Sequence, residues 1–325
     1  MKSMPVSVVI PVRNGEQTIG YAIASVLEQT MPDLEIIVVD DASTDGTAEV
    51  VSSIRDPRLK LLRSERNIRE AAARNLGMRN AKGKWIAFLD ADDEWVPERI
   101  ENLLRAAGDD GDCFVGDRGA VCVPGPGGRL VPMRQPNLPD GFAVEDLDFV
   151  SVLGLKEDVK PMIPRELSAL HGVEFPEWGS GGEWLFLNAR LTSSGIRGRL
   201  LQRVGYLWRG SGAHDSSTLH AKEEMLKVLE FLLADSSLPA GGRELLKSKM
   251  GYVEEGLVAS AIKERNVRKF VQYVARRPGA LLRLPRRTVL FGLAKFRVRL
   301  ANIAATRTRP AVEAEPASAN ESRQA

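Results

Sequence analysis

The chain has 325 residues, 43% hydrophobic and 27% charged, enough apolar material for one large α/β domain with an appendage or for two domains. Two cysteines, Cys113 and Cys122, and three histidines argue against a disulfide scaffold and a histidine-rich metal site, and suit small apolar residues in a reducing cytoplasm. The net charge of +2 conceals an asymmetry: residues 265–309 hold thirteen Lys or Arg and no Asp or Glu, leaving 32 basic against 43 acidic residues elsewhere.

The N-terminus runs straight into an apolar stretch, so neither a signal peptide nor a membrane span of about 18 apolar residues is expected. Residues 6–10, Val-Ser-Val-Val-Ile, read as a buried strand that Pro11 stops, with Asn14-Gly15 as a turn. Ile19, Ala22, Ile23, Val26 and Leu27 then recur at helical spacing. A second buried strand over 35–39 ends at Asp40-Asp41, and Asp45-Gly46-Thr47 supplies capping chemistry for the next helix. A short strand over 59–62, a helix over 69–80, a strand over 85–89 and a helix from 97 to 107 with Pro97 in its first turn complete the alternation. Strands alternating with helices over about 110 residues predict a mostly parallel sheet with helices on both faces. Such sheets bind ligands beyond the strand carboxyl ends, where Pro11, Asp41 and Asp92 all fall.

The strand over 85–89 ends in Asp90-Ala91-Asp92-Asp93, three carboxylates in four positions. Their mutual repulsion points to a hard divalent cation, Mg²⁺ or Mn²⁺, or else to a solvated acidic turn. After Gly108 the pattern changes. Residues 119–123 and 129–131 read as two strands around a Pro/Gly turn, 132–164 as long loops, and 183–192, 221–233 and 242–262 as helices.

Four blocks stand in register: Val-Ser-Val-Val-Ile-Pro-Val-Arg-Asn-Gly-Glu (6–16), Val-Val-Asp-Asp-Ala-Ser-Thr-Asp-Gly-Thr (38–47), Ala-Arg-Asn-Leu-Gly (73–77) and Phe-Leu-Asp-Ala-Asp-Asp (88–93). Together they resemble family 2 glycosyltransferases of the GT-A fold, a Rossmann-like α/β architecture. Among subfamilies the chain looks most like bacterial exopolysaccharide glucosyltransferases of the succinoglycan type. The resemblance implies an inverting, metal-dependent transfer of a sugar, glucose or a related hexose, from a UDP-linked nucleotide-sugar to a glycan or lipid-linked glycan acceptor. It places Pro11, Val12 and Asn14 near base and ribose. It has Asp41 accept from the uracil ring N–H, with Asp40 as the other candidate. Arg69 or Arg74 would reach the nucleotide or its phosphates, or lie at the surface. Asp92 would ligate the metal, Asp90 the ribose or the metal and its water shell, and Asp93 would bind the sugar or orient the others.

The family's base is an acidic pair before an aromatic residue that opens a helix. Here Gly182-Glu183-Trp184 offers one acid, Glu183, where the family has Asp. Glu183 is therefore the expected base, and the single acid leaves a catalytically silent nucleotide-sugar-binding protein as the alternative. Trp178 and Trp184 offer sugar faces or core. Arg209 and His214 are candidates for diphosphate or metal contact. His171 reads as a partner of a helix C-terminus.

Residues 276–309 interleave arginines with leucines and phenylalanines, a composition suited to an anionic membrane surface or to the acidic body of the chain; no nucleic-acid partner is expected. The expected organisation is a GT-A domain over 1–215, a helical extension over 216–275, a basic amphipathic segment over 276–310 and a disordered tail over 311–325. The expected location is the cytoplasm, peripheral to the inner face of the membrane.

Overall fold

The computed structural model describes residues 6–276 except 109–110, 135–137, 140, 156–157, 177–181, 211–218, 237, 240 and 265. The elements in chain order are β1 (Val6–Val12), α1 (Ile19–Leu27), β2 (Leu34–Asp40), α2 (Thr47–Ser53), β3 (Leu59–Arg63), α3 (Glu70–Asn80), β4 (Trp85–Phe88), β5 (Glu94–Trp95), α4 (Arg99–Ala107), β6 (Cys113–Pro124), β7 (Leu130–Pro132), β8 (Val144–Leu147), α5 (Phe149–Gly154), β9 (Ile163–Pro164), α6 (Arg165–Leu170), α7 (Glu183–Ser193), β10 (Arg197–Arg209), α8 (Leu219–Ala234), α9 (Gly242–Lys263) and α10 (Val267–Arg276). The described residues fall into two compact units, one up to Gly256 and one from Leu257 on. The first holds both sheets together with α8.

The first sheet runs β3-β2-β1-β4-β9, parallel except for β9, as the alternation predicted. Every residue of β1, β2 and β4 is buried, because helices cover both faces. On one face Val6, Val8 and Ile10 with Leu34, Ile36 and Val38 join Ile19, Ile23 and Val26 of α1 and Ile100 and Leu103 of α4 in one core. On the other, α3 lies so close to β1 that a Cβ on Gly77 would stand 2.3 Å from Val9 Cγ1.

Pro11 does not stop β1, which continues to Val12. Val9 C=O accepts from Leu89 N–H at 3.1 Å, so Val9 faces β4, and so does Pro11 two residues on. Register with β4 ends at Val9 and Phe88, so no ladder bond is asked of the missing Pro11 N–H. The two strands separate there, and the sheet opens at its carboxyl end.

The second sheet runs β5-β10-β6-β7, with β8 also paired to β10. The β6–β7 pair is the expected antiparallel turn around the Pro/Gly stretch. The thirteen-residue β10 was not foreseen. Its Gly198 and Gly205, which look like turn signals, are close approaches: a Cβ would meet Phe114 Cζ at 2.4 Å and Asp117 Oδ2 at 1.7 Å. In the second unit, Asn266 caps α10 by accepting from Lys269 N–H at 3.1 Å. Among the described residues no helix is long and apolar enough to cross a membrane.

The Gly77 contact yields a stability test. Gly77→Ala gains about 1 kcal/mol of helix propensity but overpacks a stiff valine at a cost of about 1–3 kcal/mol. The urea midpoint is expected to fall; an unchanged or raised midpoint would show that α3 lifts from β1 without cost.

Candidate active site

Two loops at the opened carboxyl end are tied together by hydrogen bonds. Asn14 N–H donates to Ser43 Oγ at 2.9 Å, Gly15 N–H to Thr47 Oγ1 at 2.9 Å, and Glu16 N–H to Asp45 Oδ2 at 3.2 Å. In return Thr44 N–H donates to Asn14 Oδ1 at 2.8 Å and Gly46 N–H to Glu16 Oε2 at 3.0 Å. Asp45 also accepts from Thr47 N–H at 3.1 Å, so it serves the first turn of α2, as its sequence context suggested. Pro11 and Val12 are buried, and Asn14 is exposed.

Asp40 and Asp41 divide their tasks. Asp40 is fully buried, accepts from Ser43 N–H at 2.9 Å and pairs with Arg63 at 3.2 Å, so its work is to shape the loop. Asp41 accepts from Ile68 N–H at 2.5 Å and Arg69 N–H at 3.0 Å. That grip holds Arg69 at φ 72°, ψ 160°, a conformation natural only to glycine. Asn14 and Ala42 also take positive φ, at 54° and 53°. All three non-glycine positive-φ residues seen among the described residues thus lie in the loops at this end of the sheet. The Arg69 side chain is exposed there.

The acidic turn after β4 is held from several directions. Arg74 of α3 is 1% exposed and its guanidinium contacts three carboxylates: Glu70, Asp90 Oδ1 at 2.8 Å and Glu183 Oε1 at 3.3 Å. Arg74, a candidate for nucleotide or phosphate contact or for the surface, is interior and joins the acidic turn to the candidate base. Lys160, which the sequence reading passed over, is 7% exposed and donates to Asp90 Oδ2, to Asp93 Oδ2 at 3.2 Å and to Tyr206 Oη at 3.0 Å. Tyr206 Oη also accepts from Asp90 N–H at 2.9 Å.

Burial opposes charge on Asp90, yet Lys160 and Arg74 outweigh it and hold its carboxyl well below the usual range. Burial, with repulsion from Asp90 and Asp92, pushes Asp93 up to about 6 despite Lys160. Lys160 is raised well above the ordinary lysine value, because the pull of its acidic neighbours exceeds the cost of its burial.

Arg209, at the end of β10, donates its backbone N–H to Asp93 Oδ1 and its Nε–H to Asp92 C=O, each at 2.8 Å, and lies 3.5 Å from Glu94. It therefore fixes the turn itself, whatever else it contacts. Glu183 is the first residue of α7, following Gly182 at φ 78°. Trp184 is core: 3% exposed, edge-on to Phe88 and Phe175, with the Arg74 guanidinium 4.6 Å from its ring centre. A sugar-facing role for Trp184 is corrected by that packing. His171 is the exposed C-cap of α6, as expected. His214, Trp178 and all of the basic segment beyond Arg276 lie outside the described residues.

The donor set suits a hard cation only in part. Among the described residues no three His, Cys, Asp or Glu side chains converge to hold a metal. Both oxygens of Asp90 are engaged by cations, and those of Asp93 by Lys160 and the Arg209 N–H. Asp92, the metal ligand that the resemblance implies, is half-buried in the same turn. One carboxylate plus phosphate oxygens and water fits Mg²⁺ or Mn²⁺, which are commonly held that way.

Known proteins share this arrangement of elements. The model of the family described as Glycosyl transferase family 2 matches residues 7–143. The succinoglycan biosynthesis protein ExoU of Rhizobium meliloti is 31% identical over 253 residues, which cover 73% of this chain and 70% of ExoU. The chain belongs to glycosyl transferase family 2. WfaP of Escherichia coli, described as a UDP-Glc:alpha-D-GlcNAc-diphosphoundecaprenol beta-1,3-glucosyltransferase, is 41% identical over 100 residues, 31% of this chain. That match spans only 40% of WfaP. S. aureus TarS 1–349 in complex with UDP-GlcNAc has a TM-score of 0.62 at 18% identity, over 94% of this chain and 91% of that one, and so shares the GT-A fold.

In this family 2 glycosyltransferase, Arg74→Met would leave Asp90 and Glu183 without their shared partner. Removing one member of a buried ion network costs about 3–5 kcal/mol, so the urea midpoint should drop accordingly, and Arg74→Lys should recover part of the loss. An unaltered midpoint in Arg74→Met would show that the three contacts hold nothing in place.

Proposed function

We propose that this chain is an inverting, metal-dependent hexosyltransferase that moves one sugar from a UDP-sugar to a hydroxyl of a glycan or lipid-linked glycan in surface or exopolysaccharide synthesis. The observation that carries this reading is the Arg74 guanidinium, which holds the acidic turn through Asp90 and the helix-opening Glu183 at once. Donor end and candidate base are thereby brought to one place beyond the strand carboxyl ends, where a nucleotide fits such a sheet.

In this reading the tied loops carry the nucleoside: Asn14 lies beside the base and ribose, above Pro11 and Val12, and Asp41 reads the uracil N–H with a lone pair beyond those given to Ile68 and Arg69. Asp92 would hold the divalent ion. When bound, that ion neutralises charge on the departing nucleoside diphosphate. Glu183 accepts the proton of the acceptor hydroxyl as that oxygen bonds to the anomeric carbon; the bond from that carbon to the phosphate oxygen breaks and its electron pair leaves with UDP. Arg209, anchored to the acidic turn, lies next to the diphosphate; His214, the other candidate for that contact, lies outside the described residues.

The relatives support the sugar and acceptor classes. WfaP is named for a glucosyl donor and a diphosphoundecaprenol-linked acceptor, and ExoU for succinoglycan synthesis. A lipid-linked acceptor also gives the basic residues of 276–309 a purpose, since each adds about 1 kcal/mol of attraction near an anionic surface. The protein then works in the cytoplasm at the inner face of the membrane.

The assay is release of nucleoside diphosphate from UDP-, GDP- and dTDP-sugars with Mn²⁺, Mg²⁺ or EDTA, beside Asp92→Ala and Glu183→Gln. Metal-dependent release from a UDP-sugar is expected. It should fall by about 10²–10⁴-fold in Glu183→Gln while nucleotide binding persists. Failure of the wild type to bind any nucleotide-sugar would sink the reading. A second expectation is that truncation after Ala275 retains donor hydrolysis but uses lipid-linked acceptor in anionic vesicles poorly; equal activity on that acceptor would remove the membrane role of the basic segment.

A further inference from the structure

Two of the three carboxylates in the acidic turn face an ammonium group. We propose that Lys160 is a positioning residue that withholds Asp90 and Asp93 from the divalent ion, and so makes metal binding depend on the phosphates of the nucleotide. The inference rests on the metal-and-nucleotide reading above and deepens it.

An ammonium has three N–H donors, and Lys160 has three polar partners for them: Asp90 Oδ2, Asp93 Oδ2 and Tyr206 Oη. The Tyr206 ring adds a cation–π face, with its centre 4.3 Å from Nζ. This placement is built into the fold. The Lys160 C=O accepts from Arg99 Nη2 at 3.0 Å, and Arg99 is itself held in a buried ion pair with Asp117 at 2.9 Å. The neighbouring Val159 C=O accepts from Asn188 Nδ2 at 2.8 Å. Buried side chains from α4 and α7 therefore fix the backbone on which the lysine stands.

The second oxygen of each carboxylate is engaged as well: Asp90 Oδ1 by Arg74, and Asp93 Oδ1 by the Arg209 N–H. A divalent ion that sought these carboxylates would have to displace a buried ammonium and then sit beside it, two like charges in a poorly screened site. Mg²⁺ and Mn²⁺ call for about six oxygens. With Asp90 and Asp93 committed to Lys160, the described residues supply too few, and diphosphate oxygens make up the set. Metal and nucleotide then raise each other's affinity by the same factor.

The test is Mn²⁺ binding by electron paramagnetic resonance, with and without UDP, on the full chain. In the wild type Mn²⁺ alone should bind weakly, with UDP tightening it at least tenfold. Lys160→Met releases two carboxylate oxygens toward the ion, so Mn²⁺ alone should bind at least tenfold tighter and the coupling to UDP should shrink by the same factor. Lys160→Arg keeps the charge and should behave as the wild type. Because Lys160→Met leaves two buried carboxylates without their cation, Lys160→Met/Asp93→Asn is measured beside it; with Asp90 Oδ2 released and one charge removed, it too should bind Mn²⁺ alone more tightly than the Asp93→Asn parent. Folded variants with unchanged Mn²⁺ affinity, or a wild type that binds Mn²⁺ tightly without UDP, would overturn the proposal. A wild type that binds no UDP even with Mn²⁺ would instead overturn the metal-and-nucleotide reading on which it stands.

Discussion

The acidic end of β4 stays inside the protein because Arg74 and Lys160 are inside with it. Removing ionised carboxylates from water costs several kcal/mol each, and only close cations with well-placed hydrogen bonds offset that. Arg74 comes from α3 and Lys160 from the segment before β9, while partners come from the turn after β4, from α7 and from β10. Meeting this one electrostatic requirement therefore decides which elements gather at the open end of the sheet. The helix that carries Glu183 is among them, so the position of the candidate base is set by the same charges that position the acidic turn.

The second sheet contributes through β10. One strand contacts the turn twice, through the Tyr206 hydroxyl and through the backbone and guanidinium of Arg209. Its pairing with β6 runs from Arg197 to Arg209 and shifts register between Leu201 and Tyr206. That irregularity falls beside Tyr206, at the point where the side chain must reach Asp90 and Lys160. Bulges of this kind re-aim side chains next to functional sites.

The first sheet was readable because β1, β2 and β4 are buried on both sides and so appear as unbroken apolar runs. Asp90, Asp92, Asp93 and Glu183 stood out because acids at element ends are easy to see in a sequence. Arg74 was visible as a candidate, but its direction was not: a helical arginine reads alike whether it faces a ligand or three carboxylates. Lys160 gave a fainter signal. Its partners lie 70, 67 and 46 positions away, and no local spacing encodes that. The clue was a lone lysine in Val159-Lys160-Pro161-Met162-Ile163, an apolar run in which a cation needs a buried partner. β10 was hidden because the glycines that admit Phe114 and Asp117 imitate turns.

The loops at the open end have a thermodynamic consequence. Asn14, Ala42 and Arg69 hold backbone conformations costing of order 1–3 kcal/mol each, and the hydrogen bonds that hold Asn14 and Arg69 form when the chain folds. A ligand that binds at this end would meet loops already in shape, and little of its binding energy would go into ordering them. Relaxing these residues would favour the free protein at the expense of its readiness, so stability and affinity pull in opposite directions at this end of the sheet.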